Sequence, residues 1–274
     1  MRASPAEKRA TFRQLHEQGC FVIPNPWDIG SAVALEHLGF KALASTSAGM
    51  AWSHGKPDNG VVRDEVLAHL SALAGAVDIP LNADFENAFA REPAGVAANV
   101  TLAVETGIAG LSVEDSTGDP DAPLYDFTLA VERVAAARAA IDATGTGVLL
   151  TARSEGFIVG RPDLEETLRR LAAFARAGAD CLYAPGLRQE DQIAAVVATA
   201  APRPVNVLAS GLKVTALEAL GVRRISVGGS LARAAWGGFL RAAREIAQAG
   251  TFTAFAQGAS DGELNAMFAA PRDG

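Results

Sequence analysis

Four carboxylates recur at related points of this chain: Asp58, Asp84, Glu86 and Glu114. Asp84 and Glu86 close the stretch Asn82-Ala83-Asp84-Phe85-Glu86, Glu114 opens the pair Glu114-Asp115, and Asp58 follows Ser45-Thr46-Ser47-Ala48-Gly49 by a short loop. Each sits at the end of a short apolar run or just past it. Carboxylates converging on one cleft repel unless a cation sits among them. A ligand set made only of oxygen, with no His or Cys, suits Mg²⁺ or Mn²⁺ rather than zinc. Taken singly, each acid reads as a helix N-cap or first-turn residue; their recurrence at successive strand ends carries the metal reading. Arg153, in Thr151-Ala152-Arg153-Ser154-Glu155, is the first basic residue at such an end. Its planar fork suits a substrate carboxylate, and its alternative role is counter-ion to the acids. The small residues Ser45 to Gly49 offer main-chain N–H groups to an anion. Gly228-Gly229-Ser230 and Ser210-Gly211 read as tight turns, the former also as a phosphate loop, and His54 as a general base or a plain surface histidine.

These residues need a frame. Apolar runs of strand length occur at Cys20–Ile23, Ala42–Ala44, Ile79–Ala83, Gly110–Val113, Val148–Ala152, Cys181–Ala184, Val205–Leu208 and Arg224–Val227. They are continuous rather than alternating, as in strands buried on both faces. Between them lie Ala-, Leu-, Glu- and Arg-rich segments of helical character: Arg63–Val77, Ala94–Glu105, Leu129–Ala143, Leu164–Ala177 and Leu231–Ala249. The runs start about 29 residues apart, the size of one βα repeat. Eight repeats predict a (β/α)8 TIM-type barrel. The rival, a doubly wound open sheet, lacks support because there is no early G-x-G-x-x-G. The barrel is read as one domain over residues 1–274, with a leading helix capped by Ser4-Pro5 and a helical C-terminal extension over 250–274 that includes a helix at Asp261–Phe268. The tail packs on its own barrel or on a neighbour.

Composition agrees. The 274 residues carry 31 Asp plus Glu against 24 Lys plus Arg, a net charge of −7, and 49% are hydrophobic. That is enough apolar material for a core, and an acidic chain without a basic cluster is no nucleic-acid binder. No run is long enough to span a membrane, and the charged N-terminus is not a signal peptide, so a soluble cytoplasmic protein is expected. Cys20 and Cys181 read as reduced core thiols.

The pieces Leu38-Gly39-Phe40, Thr46-Ser47, Asp58, Ala83-Asp84-x-Glu86, Val113-Glu114-Asp115 and Ala152-Arg153-x-Glu155, in this order and spacing, resemble the isocitrate lyase/phosphoenolpyruvate mutase superfamily from about Phe21 to Phe239. The resemblance implies a Mg²⁺-dependent barrel enzyme acting on 2-oxocarboxylates. It implies that Asp84 binds the metal directly and that Glu86, Asp58 and Glu114 hold it mainly through water. It gives Thr46, Ser47, Ala48 and Arg153 to the substrate, with Arg153 and Asp58 in the catalytic centre, and makes Trp27 a pocket wall. It also implies a homo-oligomer, dimer or tetramer, in which a C-terminal helix is swapped between neighbours.

Two departures narrow the subclass. The loop after the fourth run, Ser116-Thr117-Gly118-Asp119-Pro120-Asp121-Ala122-Pro123-Leu124, has no Cys, Lys or His, against the Lys-x-Cys-Gly-His-type motif of the lyases. The sixth run ends Tyr183-Ala184-Pro185-Gly186, without the His of the P–C enzymes, and the acidic loop would repel a phosphonate. The resulting expectation is a small 2-oxo acid activated as a metal-stabilised enolate, with C–C lyase, decarboxylase or hydrolase chemistry. P–C chemistry on phosphonopyruvate and a Mg²⁺-dependent keto-acid binder are the alternatives. Asp119, Asp121, Tyr125 and His54 are the acid/base candidates, and Ser116–Tyr125 is a lid over the site.

Overall fold

The computed structural model describes residues 2–209 and 211–269; Met1, Ser210 and residues 270–274, and with them the end of the expected tail and one half of Ser210-Gly211, lie outside it. Eight strands form one parallel sheet: β1 (Phe21–Ile23), β2 (Leu43–Ala44), β3 (Leu81–Asp84), β4 (Gly110–Glu114), β5 (Leu149–Arg153), β6 (Cys181–Tyr183), β7 (Val205–Leu208) and β8 (Arg224–Ser226). The hydrogen-bonded order β1-β8-β7-β6-β5-β4-β3-β2 brings the first two strands to opposite edges of an almost closed cylinder. The seam between them is bridged by the Ala44 N–H donating to the Pro24 carbonyl at 3.0 Å. Asn25 reinforces it: its Nδ2 donates to the Ser45 carbonyl at 2.9 Å, while its Oδ1 accepts from the N–H groups of Val227 and Gly228 at 2.9 and 2.8 Å. The expected (β/α)8 barrel is what the chain forms.

Most helices fall where the Ala- and Leu-rich segments place them: α4 (Arg63–Ala76), α5 (Pro93–Glu105), α6 (Phe127–Thr144), α7 (Leu164–Arg176) and α10 (Ser230–Ala249). The remainder are α1 (Pro5–Glu17), α2 (Ile29–His37), α3 (Ser47–Ser53), α8 (Glu190–Ala200), α9 (Val214–Ala219) and, after a 3-10 turn at Thr253–Gln257, α11 (Asp261–Ala269). Helix α1 opens as its sequence requires, with Ser4 and Glu7 in a reciprocal capping box and Pro5 in the first turn. It closes the N-terminal end of the barrel by burying Phe12 against Ile23, Ala42 and Leu149. Gly110 makes room for that ring, since a Cβ there would stand 2.6 Å from Phe12 and 2.8 Å from Asn82 Oδ1. No helix of the described residues is long and apolar enough to cross a membrane.

The C-terminal elements are bound more loosely. Of the twenty residues of α10 only Ala232 is buried. Phe239, Phe252 and Phe255 are each about 60% exposed, so a run of aromatic surface lies along the end of the chain. Helix α11 rests against α2 of the same barrel.

Candidate active site

The C-terminal ends of the strands enclose a cavity of about 220 Å³. Its lining includes Thr46, Ser47 and Ala48 after β2, Asp84 at the end of β3, Arg153 at the end of β5, and Asp58 on the exposed loop after α3. Ladder pairing continues one residue beyond the apolar runs of β3, β4 and β5, so Asp84, Glu114 and Arg153 are the last strand residues rather than loop residues. Rigid main chain therefore fixes the three charges relative to one another.

Asp84 is the junction. Its Oδ2 accepts from the Ser47 N–H at 3.0 Å and the Ser47 hydroxyl at 2.9 Å, and its Oδ1 from Arg153 Nη1 at 2.6 Å. Its own N–H donates to Ser45 Oγ at 2.8 Å. Arg153 also reaches Glu155 Oε1 at 2.9 Å and Glu114 Oε2 at 3.2 Å, and lies 5.2 Å from the centre of the Tyr183 ring. Burial opposes the Arg153 charge, yet Glu155, Glu114 and Asp84 hold its pKa well above the ordinary guanidinium value. Burial also raises Glu114 far above the usual carboxylate range, with Glu155, Asp84 and Glu86 adding and Arg153 opposing. Arg153 is thus counter-ion to three acids.

Glu86 stands apart. It is buried and adopts φ +48°, and Ala88 and Phe89 are also left-handed, a costly run for residues other than glycine. The loop is held by the fully buried Arg133 of α6, which donates to the carbonyls of Asn87, Ala90 and Arg91, and by Asn99 Nδ2 donating to the Ala88 carbonyl at 2.8 Å. Glu86 Oε1 has no hydrogen-bond partner. Burial, then Asp84 and Asp58, push its carboxyl up to about 8 against the pull of Arg153. Asp58 is also raised, first by desolvation and then by Asp84, against its bond from the Asn59 N–H and the charge of Arg153.

A divalent cation fits this set of donors. It would satisfy the orphaned Glu86 oxygen and offset the acids that raise one another. Among the described residues no three His, Cys, Asp or Glu side chains are gathered closely enough to ligate an ion together.

Several expectations need correcting. The Ser45–Gly49 segment is not an open turn; it enters α3 with Thr46 as N-cap, and the Ser47 N–H is committed to Asp84. Glu86 and Glu114 stand behind the cavity, not on its lining. Trp27 is not a wall of the cavity either. It packs beneath α3, where a Cβ on Gly49 would come within 2.8 Å of its Cβ. Ser116–Tyr125 is a compact hairpin, with Ser116 bridging Leu124 and the Tyr125 N–H donating to the Asp115 carbonyl at 2.9 Å. Of the acid/base candidates, Tyr125 is buried beneath Arg133 at 3.9 Å, and Asp119, Asp121 and His54 are exposed outside the cavity lining. Asp115 is a strut, accepting from the Glu155 N–H at 2.7 Å and Arg170 Nη1 at 3.1 Å.

The lining also includes Tyr183, Asn206, Arg224 and Asn82, to which the sequence reading gives no role at the site. All lie within strands, where polar side chains in an apolar run were the available signal. Burial pushes the Tyr183 hydroxyl up to about 12.

The model of the family described as phosphoenolpyruvate phosphomutase matches residues 12–247. A solved structure of a candidate lyase/mutase from Burkholderia cenocepacia J2315 superposes with a TM-score of 0.94 at 48% identity, covering 97% of each chain. An uncharacterized protein of Mycobacterium tuberculosis is 32% identical over 80% of this chain and 81% of its own. The oxaloacetate decarboxylase of Paraburkholderia xenovorans is 29% identical over 70% of this chain and 66% of its own.

Proposed function

Since the chain belongs to the phosphoenolpyruvate phosphomutase family, within the isocitrate lyase superfamily, we propose that it is a Mg²⁺-dependent enzyme that breaks a C–C bond in a small 2-oxo acid. Members of the superfamily act on 2-oxo acids or phosphonopyruvate, as lyases, mutases or hydrolases. The observation that carries the reading is the Asp84 junction, which joins the ends of β2, β3 and β5 at a small polar cavity. C–C chemistry is favoured over P–C chemistry because the hairpin beside the site carries Asp119 and Asp121 and no cation, and one relative is an oxaloacetate decarboxylase.

In this reading Asp84 holds the metal directly, and Glu86, Glu114 and Asp58 hold its waters. When bound, Mg²⁺ supplies a positive charge against the negative charge that develops on the keto oxygen as the bond beyond C3 breaks. Arg153 exchanges part of its contact with the acids for the substrate carboxylate, and its fixed fork sets the acid's orientation. Thr46, Ser47 and Ala48 bound that carboxylate on the β2 side. Tyr183 keeps its proton under the site and presents a ring face to Arg153. The exposed aromatic run on α10 and the segment after it is read as an interface between copies of the chain, a dimer or tetramer in the cytoplasm.

The test is calorimetric titration with oxalate, pyruvate, 2-oxoglutarate, oxaloacetate and phosphonopyruvate, with and without Mg²⁺, followed by turnover assays for pyruvate and phosphate. Metal-dependent binding of 2-oxo acids with C–C cleavage is expected. Absence of any metal-dependent keto-acid binding overturns the reading, and phosphate release from phosphonopyruvate replaces it with P–C chemistry.

A further inference from the structure

We propose that Arg224, the first residue of β8, binds the second carboxylate of a 2-oxo diacid, so that the cavity selects diacids over monocarboxylic 2-oxo acids of equal length. The proposal rests on the 2-oxo acid reading above and adds the group that sets its specificity.

Arg224 is 3% exposed and yet lines the cavity. Its Nε donates to Asn206 Oδ1 at 2.8 Å and its Nη2 to Thr151 Oγ1 at 3.0 Å. Its Nη1 has only long contacts, 3.3 Å to His16 Nε2 and 3.4 Å to Asn82 Oδ1. Every one of these partners is neutral. His16 Nδ1 donates to the Phe12 carbonyl at 2.7 Å, which leaves Nε2 as the acceptor toward Arg224. The same histidine is pushed down to about 3, by burial and then by Arg224, so it carries no proton to spare. Among the described residues Arg224 forms no ion pair. A buried cation without an anion is unfavourable, because neutral acceptors replace only part of its hydration.

The other charges on the lining sharpen the contrast. Arg153 is shared among Asp84, Glu114 and Glu155, whereas Arg224 is hydrogen-bonded only to neutral groups. The cavity is therefore acidic or balanced toward its rim and positive at its floor. A network joins the two levels: Asn206 Nδ2 donates to Ser226 Oγ at 3.0 Å, Ser226 Oγ to the Tyr183 hydroxyl at 3.4 Å, and the Tyr183 ring faces Arg153. At about 220 Å³ the space is below the roughly 300–1,000 Å³ typical of drug-sized pockets. A short diacid, one carboxylate at the rim and one at the floor, matches both its size and its polarity.

The experiment compares oxaloacetate with 2-oxobutyrate, which have the same number of carbons and differ in the terminal carboxylate. Binding with Mg²⁺ is followed by stopped flow, so that it precedes turnover. Wild-type protein is expected to prefer the diacid at least tenfold. Arg224→Met should weaken the diacid by about 30-fold or more, as loss of one partner of a buried charge pair does, and leave 2-oxobutyrate within about twofold. Arg224→Lys keeps the charge without the fork and should lose less, again only for the diacid. Equal losses for both acids, or no loss for either, overturn the role of Arg224 while leaving the 2-oxo acid reading standing. If neither acid binds wild-type protein, that reading falls and the proposal with it. Should Arg224→Met fail to fold, Arg224→Lys and the wild-type ratio decide: a ratio near one overturns the proposal.

Discussion

Arg153 Nη1 stands 2.6 Å from Asp84 Oδ1, while Ser47 holds the other oxygen of the same carboxylate from two directions. Both charges sit at strand ends, so the pair is positioned by the sheet itself. Asp84→Asn keeps an acceptor for these donors but removes the metal's expected anionic ligand. We expect metal-dependent keto-acid affinity to fall by at least the 10–100-fold seen when partners of metal ligands are lost. Arg153 retains Glu114 and Glu155, so a stability loss of only about 1–3 kcal/mol is expected. Calorimetry and urea unfolding read the two effects separately, and unchanged affinity removes Asp84 from the metal.

Arg153→Lys preserves the charge and loses the planar fork that spans three carboxylates. Weaker binding of 2-oxo acids by about tenfold is expected, with the metal requirement retained. If binding of the acids is undisturbed, Arg153 serves only as counter-ion to Asp84, Glu114 and Glu155.

Glu86→Gln separates folding from metal binding. The buried oxygen without a partner and its carboxyl near 8 mark a group that is unfavourable in its charged form. Without metal, the amide should raise stability by about 1–3 kcal/mol at pH 7. With Mg²⁺ present, the variant should show less stabilisation by the ion than wild type. Thermal unfolding at graded Mg²⁺ tests both signs, and an amide variant less stable without metal refutes the assignment.

Acid stability depends on two histidines outside the acidic cluster. Burial lowers His16 to about 3, aided by Arg224, and His69 to about 4, aided by His54. In the unfolded chain both titrate near 6.5, so below that pH the unfolded state binds more protons and stability falls as pH falls. Each should remove about 1 kcal/mol between pH 7 and 5.5, a window above the ordinary carboxylates. Glu86, raised to about 8, acts in the opposite direction over the same range, so the histidine contribution is read as the difference in urea midpoint slope between wild type and His16→Gln with His69→Gln, which should be absent if the histidines contribute nothing.

The aromatic run at the C-terminus predicts an assembly. Phe239→Glu with Phe252→Glu should reduce the mass seen by light scattering without unfolding the barrel, since both side chains are exposed on one copy. A wild-type monomer at tens of micromolar removes the interface.

The barrel was readable because a buried parallel strand leaves a continuous apolar run; Val205–Leu208 coincides with β7 to the residue. The ends were less so, because hydrogen bonding carries β3, β4 and β5 onto Asp84, Glu114 and Arg153 after apolarity stops. Helix α3 was hidden for another reason. Ser47-Ala48-Gly49 has weak helical propensity, and its helix depends on Thr46 as cap and on burial of Met50 and Ala51. Sequence order also could not tell which acids line a space and which stand behind it: Asp58 and Asp84 do the former, Glu86 and Glu114 the latter. Arg224 opens an apolar run in the sequence, and only the folded barrel brings Asn206, Thr151 and, from α1, His16 around its guanidinium.

A cylinder rolled from a sheet is weakest where its edges meet. Here the edges are fastened by the Ala44 to Pro24 bond and by the Asn25 side chain, which acts as a clasp gripping three strands' ends at once. Thr46, Ser47 and Ala48 begin directly beyond that clasp. Among the strands of the barrel, amide exchange should therefore run fastest along this edge, and breathing there widens the mouth of the cavity without disturbing the ladder that holds Asp84 and Arg153.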